Sequence, residues 1–188
     1  MALPSVPLER GSIGKTIYYV AASLDGLIAG PGDDLSWLDT YIGQGEDYGF
    51  RELIDSIATL VMGANTYEQI LKFGQWPYGD KPTYVAAKRE LPLAEGADLK
   101  FRTGSSSALL DEIKRESHGD IWLVGGGALA GDMLAQGLLD EVRLFVIPVL
   151  LGAGVPLFSG MKETARLIPK GITGYESGVV GLDYTIRT

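Results

Sequence analysis

Three stretches of this chain place glycine or small residues where an apolar run stops. Asp120 to Ala130 (DIWLVGGGALA) is the strongest. It reads as a buried strand that ends in Gly125, Gly126 and Gly127, followed by a helix start. Backbone without Cβ atoms can approach a ligand closely. The free N–H groups of a helix start can receive pyrophosphate oxygens. A tight strand-to-helix turn with no ligand fits the same residues equally well. The spacing is not the G-x-G-x-x-G of dinucleotide-binding folds.

Leu60 to Tyr67 (LVMGANTY) repeats the pattern, with Asn65 or Thr66 available to cap a helix. In a parallel sheet, two such turns face the same carboxyl edge, where ligands of open α/β sheets bind. Thr83 to Arg89 (TYVAAKR) ends a strand in two small residues and two cations. Lys88 and Arg89 suit a ribose 2′-phosphate, which selects NADPH over NADH; a solvated charge pair is the competing reading.

These turns need strands and helices to hold them. Thr16 to Ala22 is β-branched and aromatic and reads as a strand ending at the turn-prone Asp25-Gly26. Phe50, Leu53, Ile54 and Ile57 form one apolar helical stripe, with Asp47 in the first turn. A short strand over Thr59 to Met62 and a helix over Thr66 to Leu71 follow. Next come a strand over Pro82 to Ala87, a helix over Ser107 to Glu116 and the Asp120 to Val124 strand. The helix after the three glycines runs through Met133 and Leu134. Strands over Glu141 to Leu150, Thr164 to Pro169 and Val179 to Arg187 close the chain. Alternation predicts a parallel sheet with crossover helices, and the strand-rich end predicts antiparallel pairing.

The 188 residues fit one domain, read as 15–188, with 1–14 as a tail over the surface. Hydrophobic residues make up 46%, enough to bury a core without staples. Absence of cysteine excludes disulfides and thiolate chemistry and fits a cytoplasmic location. The net charge of -8 argues against nucleic acid as a partner. No apolar run is long enough for a membrane span, and no His/Cys cluster suggests a metal. The apolar run Leu144 to Leu151 suits a subunit interface or a sheet-centre strand.

Several motifs together carry a family resemblance. Near the start stands Ala22-Ser23-Leu24-Asp25-Gly26-Leu27-Ile28-Ala29, and in the second turn Met62-Gly63-Ala64-Asn65-Thr66-Tyr67-Glu68. LVGGGA over Leu123 to Ala128, then Gly137-Leu138-Leu139-Asp140-Glu141 and PVLLGAGVPLF over Pro148 to Phe158, complete the set. The chain resembles the dihydrofolate reductase superfamily over Lys15 to Arg187. Within it, the chain is most similar to the C-terminal reductase domain of bifunctional riboflavin-biosynthesis deaminase-reductases.

The resemblance implies an α/β fold with a mostly parallel central sheet, antiparallel C-terminal strands and helices on both faces. It implies an NADPH-dependent reductase acting on a small pterin- or pyrimidine-like heterocycle, and a homodimer. Val20, Ala21 and Ile28 would face the nicotinamide. Gly63, Asn65 and Thr66 would meet the pyrophosphate. Ala86, Ala87 and Lys88 would flank the adenosine, and Gly125, Gly126, Gly127, Ala128 and Leu129 the pyrophosphate and ribose. Ala64 departs from the pattern, because many relatives carry a basic residue there.

Asp47 falls where a substrate-holding carboxylate lies in dihydrofolate reductases and is the catalytic candidate; a plain helix-start carboxylate weighs equally. Asp34 and Trp37 are rival substrate contacts, although core packing is the commoner fate of tryptophan. Asp25 either binds substrate or shapes its turn, and the turn is favoured. Two alternatives stand beside the main reading. One is the reductase of 5-amino-6-(5-phosphoribosylamino)uracil in riboflavin biosynthesis. Against it, Pro31 to Glu46 has no basic residue to clamp a phosphate and four acids, Asp33, Asp34, Asp39 and Glu46. The other is a non-catalytic nucleotide-binding module, since fold alone does not assign chemistry.

Overall fold

The computed structural model describes residues 14–42 and 45–187. The expected tail over 1–14 lies, apart from Gly14, outside the described residues. Strand β1 (Thr16–Ser23) is the centre of the molecule. It is followed by the short β2 (Leu27–Ala29), α1 (Phe50–Ser56), β3 (Ile57–Gly63) and α2 (Ala64–Leu71). Then come β4 (Thr83–Ala86), β5 (Leu99–Arg102), α3 (Ser106–Glu116), β6 (Asp120–Gly125) and α4 (Gly127–Ala135). The chain closes with β7 (Glu141–Ile147), β8 (Val155–Pro156), β9 (Leu167–Gly174) and β10 (Val180–Ile186).

Eight strands make one sheet in the order β5-β4-β3-β6-β1-β7-β10-β9. Pairing is parallel from β5 through β7, while β10 runs antiparallel to both β7 and β9. Strands β2 and β8 form a separate two-stranded ribbon. Parallel neighbours need crossovers, and helices supply them.

The pleat sorts side chains to two cores. Tyr18, Val61, Ile121 and Leu123 meet Leu109, Leu110 and Ile113 of α3 and Ala130 and Met133 of α4. On the opposite face, Ile17, Leu60 and Trp122 meet Leu53 of α1, and Met62 and Val85 meet Tyr67 and Ile70 of α2. Helices therefore cover both faces of the parallel part, as expected.

Several boundaries differ from those expected. Helix α1 stops at Ser56, so Ile57 begins β3 instead of completing the apolar stripe. Asp47 lies ahead of α1, not in its first turn. Helix α2 starts two residues earlier than expected, and its N-cap is Gly63 without a side-chain bond. Asn65 and Thr66 are thus helical residues and not caps. Strand β7 ends at Ile147, because Pro148 has no N–H to continue a ladder. The last two strands occupy Leu167–Gly174 and Val180–Ile186, so the first of them starts three residues after the expected Thr164.

Candidate active site

The carboxyl edge of the parallel strands brings the three glycine-bearing or small-residue turns together. Gly63 is in register with Ala86, and Met62 with Gly125. Helices α2 and α4 begin directly after β3 and β6, so both N-termini open on this edge. A Cβ on Gly63 would lie 3.9 Å from the Gly125 carbonyl oxygen. Cβ atoms on Gly125 and Gly126 would lie 3.3 and 3.2 Å from Thr66 Oγ1. Thr66 therefore joins the edge as a side wall, not as a helix cap.

The three consecutive glycines have different reasons to be glycine. Gly125 ends the strand at φ 155°, and its bond to Gly126 is cis. Gly126 is the N-cap of α4, with φ -91° and ψ 172°. Gly127 faces away from the groove. A Cβ there would fall 2.0 Å from the Pro156 carbonyl oxygen, and one on Gly131 equally close to that of Ser159. Gly127 is thus required for helix packing, and its Cα side is not available to a ligand. Ala128 is exposed and Leu129 half-buried at the α4 start.

Val20 and Ala21 lie near the carboxyl end of β1, which runs on through Ala22 and Ser23, with Val20 packed toward the α3–α4 core and Ala21 toward the opposite face. Ile28 sits half-buried on β2. Asn65 is exposed on α2. Ala86 is half-buried at the end of β4. The Ala87 side chain is buried in the α2 core, and its N–H donates to the Arg102 carbonyl at 2.9 Å. Only its backbone is left to flank a ligand. Lys88 is exposed. Arg89, expected beside it, is instead paired with Glu68. Arg102 is held by Glu112 at 2.6 Å and lies over the Tyr84 ring.

The proposed substrate contacts are used inside the fold. Asp47 accepts the N–H of Gly49 at 3.0 Å and of Arg51 at 3.4 Å, which is helix-start work. Asp34 accepts the Ser36 N–H at 3.1 Å and hydroxyl at 3.0 Å. Trp37 packs against the buried group of Phe145, Ile147 and Val179. Its indole N–H is buried without a partner among the described residues. Asp25 accepts the Ser23 hydroxyl at 2.6 Å, and the N–H groups of Leu151 and Gly152 at 3.1 and 2.7 Å. It does more than shape its own turn, because it ties that turn to the loop after β7. Ser23 stands in the first motif without an assigned role, yet its hydroxyl also accepts the Leu27 N–H at 3.0 Å.

A mostly parallel eight-stranded sheet, antiparallel at its C-terminal end and with glycine-lined helix starts at the carboxyl edge, is a dihydrofolate reductase-like fold. Dihydrofolate reductase from Enterococcus faecalis superposes with a TM-score of 0.62 at 19% identity, covering 94% of this chain and 98% of that one. More narrowly, the family described as the RibD C-terminal domain matches residues 74–181, and the chain belongs to that family. The uncharacterized protein YwjB of Bacillus subtilis (strain 168) is 32% identical over 88% of this chain and 94% of its own length. A crystal structure from Shewanella sp. PV-4, provisionally named for riboflavin biosynthesis, has a TM-score of 0.83. It is 26% identical and covers 93% of this chain and 99% of that one. Among the described residues no helix is long and apolar enough to cross a membrane, and no group of acidic or histidine residues is arranged to hold a metal.

Proposed function

We propose that the chain is an NADPH-dependent reductase that transfers hydride to a small heterocyclic substrate. The observation that carries this reading is the meeting of Gly63, Ala86 and Gly125–Gly126 at one carboxyl edge between two helix N-termini. Without Cβ atoms at Gly125 and Gly126, which would crowd Thr66 Oγ1 at 3.3 and 3.2 Å, the backbone there can be approached closely by a dinucleotide. The bound dinucleotide supplies the hydride.

The chain's own residues bind and orient. Gly63, Asn65, Thr66 and the α4 start from Gly125 to Leu129 would hold the pyrophosphate and ribose through backbone N–H groups and the Thr66 hydroxyl. Val20, Ala21 and Ile28 would flank the nicotinamide. Ala86, the Ala87 backbone and Lys88 would flank the adenosine, with Lys88 supplying charge for a 2′-phosphate. Asp25 fixes the Ser23–Ala29 segment that carries Ile28. The narrower reading, a reductase of a phosphorylated ribosylaminopyrimidine, is supported by the family to which the chain belongs.

The test is equilibrium titration with NADPH and NADH, followed by reductase assays on pterin and pyrimidine substrates. Binding of NADPH well below millimolar concentration is expected. Failure of both dinucleotides to bind sinks the enzyme reading, and turnover of the phosphorylated pyrimidine selects the narrower one.

A homodimer belongs to the same proposal. Val146, Val180, Leu182 and Ile172 share one face of the antiparallel strands by register. Ile172 is 75% exposed and Val180 37%, an apolar face of the kind that pairs copies.

A further inference from the structure

The C-terminal end of α2 opens on a cleft that the cofactor reading does not use. The cleft has a volume of about 500 Å³ and lies between that helix end, Trp76 and residues 93–95. Ile70, Leu71, Trp76, Leu93 and Ala94 give it apolar walls. Leu93 stands 76% exposed at its rim.

The walls are held in place by the fold. The Tyr67 ring is fully buried. Its hydroxyl donates to the Pro92 carbonyl at 2.6 Å and accepts the Ala94 N–H at 3.0 Å, which fixes residues 92–94 against α2. Trp76 meets Tyr78 edge to face, with centroids 5.2 Å apart. The Trp76 N–H is buried, so the ring offers the cleft carbon and not its donor.

The charge of the cleft has one sign. Glu95 is the single charged residue of its lining. Among the described residues, the Glu95 carboxylate makes no ion pair and no hydrogen bond. The carbonyl end of a helix carries partial negative charge, and that is the end of α2 that opens here. Lys72, which follows α2, donates to the Gln69 side chain at 3.0 Å and is not part of the lining. No cation on the wall therefore competes for the carboxylate. An aromatic ring beside apolar walls and a carboxylate suits an organic cation.

The cleft stands apart from the carboxyl edge. The cofactor reading uses the start of α2, and the eight residues of the helix set its two ends about 12 Å apart.

The geometry points to a second small-molecule site, for an organic cation with an apolar body of one ring or a short chain. The body lies on Leu71, Trp76 and Leu93, and the ammonium group meets Glu95 and the helix end. A neutral or anionic molecule of the same shape lacks that last contact. Apolar walls with a few placed polar groups are the usual make-up of ligand sites.

Phenethylamine, phenethyl alcohol and hydrocinnamate share a ring and a short chain and differ in charge. Each is titrated by calorimetry and by saturation-transfer NMR against the wild-type protein, Leu93→Lys and Glu95→Gln. Both substituted residues are exposed, so thermal melting and NADPH affinity should stay unchanged. Phenethylamine is expected to bind the wild type with a sub-millimolar Kd, about fivefold or more tighter than the alcohol, with hydrocinnamate weakest. Glu95→Gln should cut the preference for the amine over the alcohol to about twofold or less. Leu93→Lys removes apolar wall and adds a like charge, and should weaken the amine about tenfold. The site is refuted if the amine does not bind, or if the alcohol or hydrocinnamate binds as tightly. It is equally refuted if either variant behaves as the wild type, or if NADPH displaces the amine competitively.

Discussion

The Asp25 carboxylate accepts the Gly152 N–H at 2.7 Å across 127 positions of sequence. The Ser23 hydroxyl and the Gly152 and Leu151 N–H groups together hold its pKa at about 2, against an ordinary 3.8. A lowered carboxylate pKa stabilises the fold fully above the ordinary value, and the contribution is lost as pH falls toward the folded value. Asp25→Asn is therefore expected to melt at lower temperature at pH 7. The gap to wild type should close as pH drops from 4 toward 2. Melting curves across that range check this, and a gap that does not narrow contradicts it.

Gly126 and Gly127 should respond differently to alanine. Gly127→Ala drives a Cβ to 2.0 Å from the Pro156 carbonyl and should cost about 1–3 kcal/mol or more. Gly126→Ala meets only Thr66 Oγ1 at 3.2 Å, so the fold should survive and NADPH affinity should fall about tenfold. Melting and cofactor titration of the two variants separate packing from binding. The reverse pattern would show that the assignments are exchanged.

Glu141 is 4% exposed and gathers three cations at the amino end of β7. Lys15 is at 2.8 Å, Lys170 at 2.9 Å and Arg143 at 3.7 Å. Burial opposes its ionisation, but hydrogen bonds from Lys15 and Lys170 prevail, and its pKa is lowered. Glu141→Gln should destabilise the protein by about 1–3 kcal/mol, measured by urea unfolding near neutral pH. Because the wild-type bonds weaken as the carboxylate is protonated, the difference should shrink at acid pH.

Lys88 should discriminate NADPH from NADH, and Arg89 should not. Arg89 is committed to Glu68, whereas Lys88 is exposed at the end of β4. Lys88→Ala is expected to reduce the preference for NADPH about tenfold, and Arg89→Ala by less than about threefold. Ratios of the two dissociation constants decide it.

Light scattering tests the dimer. Wild type should show twice the chain mass, and Ile172→Glu should shift the population to monomer, because it puts a charge into the apolar face. A monomeric wild type refutes the interface.

Much of this fold was legible because its signals are local. The apolar runs that become β1, β3 and β6 each end in glycine or small residues, and those ends are where the candidate groove forms. Strand β5 gave no such signal, since Leu99–Arg102 alternates with charges and every position stays half-buried. Strands β2 and β8 are three and two residues long, too short for a pattern. The substrate half was least legible. Asp34 and Asp47 are chemically suited to hold a ring, and each also accepts a hydrogen bond from the backbone N–H two residues on, so residue type alone does not separate the two roles.

The two packing glycines of α4 have a mechanical effect. With Gly127 and Gly131 against the Pro156 and Ser159 carbonyls, and the Ser159 N–H bonded to the Gly127 carbonyl at 2.9 Å, no side-chain layer separates helix from loop. A cushion of side chains absorbs small shifts; bare backbone contact transmits them. An anion that pulls on the start of α4 therefore also pulls on residues 156–159. Through the pairing of β8 with β2, the same tug reaches Ile28. The start of α4 and the segment carrying Ile28 are thereby joined through continuous backbone contact.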